Sequence, residues 1–330
     1  MALYAAGFNA WKQLQFGNDC NDSSDRDPHD VFTFSKVLTD DAVERPRAGL
    51  HYTLVRGKSG HHIAGTGFAK GNVMNLLDHV DTTFVAGNGL TLTVTTQKED
   101  ETPSEHPKEE SRESACRVCI VRYKSYEDCK AGRRPTVLPW EKPVREVAAY
   151  DAGFVVLFQD GTVATLGDSR YQECLARDIT QESEADDTLE LVPDLMSLGD
   201  PVKHISANGY VLAALTESGS VYIWGRKSPG SRGRGAGLFE ELGALPNYCE
   251  VGGGLDVQDF ALGESHAIAL TTDGDVYVIG TNRNGQLGLG QGRDAVVREW
   301  SRIELNLATG HHVESVAAGP RSSFIVTARK

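Results

Sequence analysis

The 330 residues carry 46 acidic and 33 basic side chains, a formal net charge of −13 at pH 7, with 40% hydrophobic residues and 35 glycines. That balance can supply a buried core, and it argues against a primary grip on nucleic acid, where neutralising phosphates provides most of the affinity. No stretch reaches the apolar length of a membrane helix, and residues 1–17 lack a basic start followed by a hydrophobic run, so a cytoplasmic or nuclear location is expected.

Taken in chain order, the expected elements are short strands that recur. Leu3 to Gly7, followed by Asn9 and Gln13-Leu14, reads as the second half of a repeating unit. Weak copies of the first half follow at Ala48 to Val55 and Phe84 to Thr95. Clearer copies begin at Val147 and Ile205, and the clearest runs from Phe260 to Gly280 and on to Gly285-Gln-Leu-Gly288. A last half-copy occupies Val316 to Thr327. Runs such as Phe154 to Phe158 and Ala267 to Leu270 are too short for stable helices and read as buried strands. Asp160-Gly161 and Asp273-Gly274 are expected to form two-residue hairpins. A period of about 50 to 60 residues with several strands per unit is the pattern of a radially repeated sheet protein. One such sheet cannot bury enough apolar surface alone, so neighbours must cover its faces, and a closed ring does this for every unit. The two half-copies then complete one blade, pairing the N-terminal strand with the C-terminal strands.

The run Gly263-x-x-His266, an apolar strand, Asp273-Gly274, Val276-Tyr277, Gly280, Asn282 and Gly285-Gln-Leu-Gly288 resembles the repeat of the regulator of chromosome condensation family. The resemblance is strong over residues 144–330 and weak before them. It implies an all-β propeller over residues 1–330 as a single domain, with six detectable units, or seven blades if one is degenerate. Loop insertions are expected at 97–114, 176–200 and 227–254. The first of these holds seven acidic and three basic residues.

Candidate chemistry is sparse. Cys116-Arg-Val-Cys119 with Cys129 and His106 has ligand types for zinc, but residues three apart on a strand point to opposite faces, and no second Cys-x-x-Cys exists. The six cysteines are read as reduced thiols, with no metal and no cofactor. His266 has no counterpart histidine in the other units, so a hydrogen-bonding role between blades is expected instead of a catalytic one. With no nucleophile triad, carboxylate pair or phosphate loop, the chain reads as a non-enzyme.

A propeller offers a broad face. The turn after the first strand of each unit recurs at one place, so six turns are expected to cluster around the axis. They put His51, Asn88, Asp151, Tyr210, Glu264 and Arg321 forward as partner-binding residues. In layout the chain is similar to small stand-alone members of the family, such as the fungal alpha-tubulin suppressor or killer-toxin-insensitivity group. That resemblance implies an adaptor binding a small zinc-ribbon electron carrier in Elongator-dependent wobble-uridine tRNA modification and diphthamide synthesis. The family also implies two alternatives, a chromatin-associated adaptor of a jumonji demethylase and a guanine-nucleotide exchange factor for a Ran-like GTPase. An exchange factor needs a protruding wedge, for which Arg232 and Arg234 in the 227–254 segment are the candidates.

Overall fold

A computed structural model describes residues 1–17, 28–66, 82–97, 117–178, 188–227, 239, 242–292 and 294–330, and it places both half-copies in one sheet. Strand β1 (Ala2–Gly7) lies between β2 (Val31–Thr39) and β23 (Ser322–Arg329), with β22 (His311–Gly319) beyond. The pairing is antiparallel and in register from Ala2 opposite Thr327 to Gly7 opposite Ser322. This is the closing blade, numbered VI.

Among the described residues the other strands form five further sheets, one per expected unit. Blade I holds β3 (Arg47–Ala48), β4 (Tyr52–Gly57) and β5 (Gly60–Gly65); blade II holds β6 (Thr83–Val85), β7 (Thr91–Gln97), β8 (Arg117–Tyr123) and β9 (Thr136–Leu138). Blade III is built from β10 (Val144–Tyr150), β11 (Gly153–Phe158), β12 (Val163–Gly167) and β13 (Glu190–Leu191). Blade IV comprises β14 (Val202–Asn208), β15 (Val211–Thr216), β16 (Val221–Gly225) and β17 (Asn247–Cys249), and blade V comprises β18 (Val257–Leu262), β19 (His266–Thr271), β20 (Val276–Thr281) and β21 (Val296–Ile303). The propeller therefore has six blades, and no degenerate seventh is needed to close it.

Burial explains the sequence pattern. Second strands are covered on both faces by neighbouring blades, so all six residues of β11 and of β19 are buried and their sequences lack alternation. Side chains from adjacent blades interlock: Val155 and Leu157 of blade III pack with Leu212 and Trp224 of blade IV, and Ala213 and Ile223 of blade IV with Phe260 and Leu262 of blade V. Each such large side chain contributes roughly 1.5–3 kcal/mol on burial. The first strands of the blades pack side by side around the axis, where Ala148, Ala149, Ala207, Ala261, Ala317 and Ala318 leave room for close approach.

The hairpin expectation needs correction. Gly161 N donates to Phe158 O at 3.0 Å and Phe158 N to Thr162 O at 2.9 Å, and the same pair of bonds recurs at 216–220 and 271–275. These are longer loops in which a tight turn is followed by a single left-handed residue. Only the glycine is left-handed, with φ of 80° at Gly161 and 87° at Gly274, while the aspartate before it keeps a negative φ.

Of the expected insertions, residues 98–116 lie outside the described residues, as do 179–187, 228–238, 240 and 241. His106, Cys116, Arg232 and Arg234 fall within these gaps. The 176–200 span also contains β13 and a short helix, Pro193–Ser197.

Candidate functional site: the face of six turns

The six turns lie on one face, and five of them are bonded to a neighbouring turn. Asn88 N donates to Asp151 O and Asp151 N to Gly209 O, each at 2.8 Å, which links the turns of blades II, III and IV. Asn88 Nδ2 adds a bond to Ala152 O at 3.3 Å. Glu264 N donates to Pro320 O at 3.0 Å, and Arg321 Nε donates to Glu264 Oε2 at 3.3 Å, linking blades V and VI. Gln13 Nε2 reaches Leu50 O at 3.1 Å and fixes the turn that carries His51. The turns thus present fixed side chains on a rigid rim, a favourable arrangement for recognition.

Glycine shapes this rim. Gly225 ends β16 with φ of 115°, against the carbonyl oxygen of Tyr210, and Gly65 ends β5 with φ of 116°, against that of His51. A Cβ at either place would clash with backbone, so the third strand can pass beneath the turn only as glycine.

Charge and aromatic character are unevenly distributed. Burial raises the Asp151 carboxyl above its ordinary range, and the neighbouring negative charge of Glu264 raises it further. The Tyr210 ring stacks on Tyr171 with centroids 4.8 Å apart. Its phenol is pushed up to about 12, mainly by the hydrogen bond to Tyr171 and then by burial. The Arg321 guanidinium lies 6.0 Å from the centre of the Phe8 ring. His51 meets the edge of Trp11 at 4.9 Å, and Trp11 is 43% exposed.

Trp11, Tyr171 and Arg226 are absent from the sequence-based set, because they come from the loops after third strands and not from the turns. A signal for Trp11 did exist: Asn9 and Gln13 match Asn282 and Gln286 in the clearest unit. Both pairs do the same work, since Leu14 N donates to Asn9 Oδ1 at 3.0 Å and Leu287 N to Asn282 Oδ1 at 3.1 Å. Aligning the two loops would have exposed the tryptophan at the tip.

The segment carrying Arg232 and Arg234 leaves and rejoins the fold on this same face. Arg226 N donates to Tyr210 O and Gly225 N to Gly243 O, both at 2.9 Å, and the Arg226 guanidinium sits 5.8 Å from the Tyr171 ring centre.

Elsewhere, geometry favours structure over chemistry. His266 is fully buried, with Nε2 3.2 Å from Ser322 O of the next blade, and burial lowers its pKa to about 4. It joins blades V and VI as a neutral ring. Ser59, His62 and Asp40 touch one another at the β4–β5 hairpin, but Ser59 Oγ and Asp40 Oδ2 both approach the same nitrogen, Nε2 of His62, at 3.1 and 2.8 Å. A nucleophilic triad requires the carboxylate on the other ring nitrogen, so these three make no proton relay. Among the described residues, no group of three or more His, Cys, Asp or Glu is placed to hold a metal.

Comparison with known proteins agrees with the repeat reading. Models of the regulator of chromosome condensation repeat match residues 257–286 and 273–326. The chain is 32% identical over 158 residues to the regulator of chromosome condensation of Mus musculus, an alignment covering 47% of this chain and 35% of that protein. The chain thus spans about a third of the length of the curated relatives it matches. Among solved structures, human WBSCR16 superposes with a TM-score of 0.62 at 19% identity, over 99% of this chain and 100% of the other. Prp20p of Saccharomyces cerevisiae, described by its binding to Gsp1p and histones, superposes with a TM-score of 0.61 at 14% identity, over 100% of this chain and 92% of the other.

These matches correct the partner expectation. They lead to chromosome-condensation regulators and to a Gsp1p- and histone-binding propeller, not to the zinc-ribbon, Elongator and diphthamide role implied by likeness to the small fungal members, and that role is withdrawn. The chain is a six-bladed β-propeller whose residues 257–326 match the regulator of chromosome condensation repeat.

Proposed function

We propose that the face of six turns docks a Ran-like small GTPase and that the propeller acts there, in the nucleus, as a guanine-nucleotide exchange factor. The observation that carries this reading is the segment after β16, whose two described flanks are tied to the turn face beside Tyr210. An exchange wedge inserted there would have its two ends, at Arg226 and Gly243, anchored beside the turn face. The likeness to chromosome-condensation regulators and to a Gsp1p-binding propeller supports the same class of partner.

Exchange needs no bond-making by the propeller. A protein that binds the nucleotide-free GTPase more tightly than the nucleotide-bound form weakens nucleotide binding by that same factor, which favours release. Asp151 and Glu264 offer carboxylates for a basic side chain of the partner, and Tyr210 with Tyr171 and Trp11 offers rigid aromatic contacts at low entropic cost.

The test is release of a fluorescent guanine nucleotide from a purified Ran-like GTPase. Wild-type protein should accelerate release well above the intrinsic rate. Tyr210→Ala and Arg321→Glu should each reduce the effect by at least about tenfold, the ordinary cost of a lost interface anchor. Arg232→Glu with Arg234→Glu should abolish exchange while leaving the fold intact. An intrinsic release rate unchanged by saturating wild-type propeller would refute the proposal.

A further inference from the structure

We propose that His204 works a proton-operated latch at the end of the axis remote from the turn face: the neutral ring holds Arg45 across the axis, and protonation releases it. The parts come from equivalent places in the repeat. Glu146, His204 and Asp259 are each the third residue of the first strand, in blades III, IV and V. In all three blades the register with the second strand shifts just before that residue, between Val144 and Glu146, Val202 and His204, and Val257 and Asp259. Such a bulge re-aims a side chain. Here three ionisable groups converge beside the axis, with Glu146 Oε2 2.8 Å and Asp259 Oδ1 3.9 Å from the His204 ring. Each lies five residues before a turn residue, Asp151, Gly209 or Glu264, and so roughly 16 Å from the turn face. The latch does not depend on the GTPase reading.

Arg45 belongs to the strap, residues 40–46, that joins β2 of the closing blade to β3 of blade I. Glu44 N, which donates to Arg56 O at 2.9 Å, and the buried Val43 seat the strap on blade I. Arg45 then ties it to blades IV and V on the far side of the axis. Its Nη2 donates to Asp259 Oδ1, and its Nη1 lies 3.0 Å from His204 Nε2.

The partners of the ring define two states. Nδ1 is 2.8 Å from Glu146 Oε2, a carboxylate oxygen that can only accept, so Nδ1 carries a hydrogen. Nε2 is 3.0 Å from Arg45 Nη1, which can only donate, and 3.0 Å from the Phe260 carbonyl oxygen, which can only accept. One nitrogen cannot serve both. Bare, Nε2 accepts from Arg45; protonated, it donates to Phe260 O and turns a cationic N–H toward the guanidinium. Glu146 and Asp259 attract the imidazolium and Arg45 repels it. These are the charged groups that face the ring, for β15 sets Leu215 opposite it, Lys203 turns to Val257 O, and Arg145 faces Glu217. Protonation therefore leaves the strap tied across the axis through Asp259 alone. Arg45, Glu146 and His204 also line an axial cavity of about 180 Å³, so the wall of that cavity loosens with the strap.

The test pairs nitrogen-15 NMR of the histidine-labelled full chain with hydrogen exchange of the strap, between about pH 8 and pH 5, the range in which histidine changes charge. The neutral His204 ring should carry its hydrogen on Nδ1 and gain the second on Nε2 as pH falls. Over the same titration the Glu44 amide should lose about tenfold in protection, corrected for intrinsic exchange and measured against the Val156 amide of blade III, because a hydrogen bond to a charged group is worth about that factor. His204→Gln should abolish the step, and Arg45→Gln should show the low protection at both pH values. A neutral wild-type ring protonated on Nε2 overturns the proposal without recourse to any variant. So does protection of the Glu44 amide that stays level with pH, or a step that survives in His204→Gln.

Discussion

Replacing Asp259 with alanine should destabilise the propeller far more than loss of an ordinary surface aspartate. This carboxylate, on the first strand of blade V, is 6% exposed. Its Oδ1 accepts from Phe260 N at 2.9 Å and from Arg45 of blade I, and its Oδ2 accepts from Val316 N of blade VI at 2.8 Å. Three blades therefore meet on one side chain. Truncation leaves two buried backbone N–H groups without an acceptor, at about 1–3 kcal/mol each. The pair with Arg45, whose side chain is 37% exposed, adds under about 1 kcal/mol after screening. The expected loss is about 3–5 kcal/mol, a large part of a stability of about 5–15 kcal/mol. Asp259→Asn should cost slightly less, because its one carbonyl can serve only one N–H and its amide turns donors toward the other. Urea unfolding followed by tryptophan fluorescence measures both, with an unchanged denaturant slope as the condition for comparison. A loss below about 1 kcal/mol for alanine, or an asparagine variant equal to wild type, would refute this account of the axis.

His266 makes a pH prediction. Its folded pKa, about 4, lies below the unfolded value of 6.5, so the unfolded chain binds the proton more readily between them. Its contribution is intact above pH 6.5 and is lost as pH falls toward 4, by up to about 3 kcal/mol, and His266→Gln should flatten that part of a stability–pH curve. Cys174 and Cys249 are both pushed up to about 12 by burial, so iodoacetamide at neutral pH should leave them unmodified in the native protein and reach them only after denaturation. Mass spectrometry of the alkylated peptides reads this directly. Gly225→Ala should lower stability by about 2 kcal/mol or more and also weaken any ligand of the turn face, because the added methyl would displace the Tyr210 carbonyl. Gly253→Ala, where a Cβ meets open space, is the control for left-handed backbone alone.

What could be read in the sequence depended on which forces were local. Strand order and ring closure were legible because apolar runs, Asp-Gly turns and the two half-units repeat at fixed spacing, and Leu3 to Gly7 pairs with β23 as the spacing requires. The turn positions were legible for the same reason. Their mutual bracing was not: the bonds from Asn88 to Asp151 and on to Gly209 are backbone bonds between units about 60 residues apart, which no side-chain pattern records. Arg45 was equally hidden. It belongs to a weak unit, and its partners, His204 and Asp259, lie 159 and 214 residues away across the axis. Layout and length do not select a partner, because repeats fix a fold and leave recognition to the rim residues.

The placement of β1 between β2 and β23 bears on how the chain reaches this state. Thr327 Oγ1 donates to Ala2 O across 325 positions of sequence, one of the most distant contacts the chain can make. During synthesis the β1–β2 hairpin must wait, with one edge unpaired, until nearly every other blade has emerged. Ring closure is thus the last event of folding, and the first blade made is the last to be completed. Until then the open edge of β1 can pair with the β23 strand of another copy. Crowded synthesis therefore favours exchange of the β1–β2 hairpin between molecules, and greater dilution or lower expression should favour the closed monomeric ring.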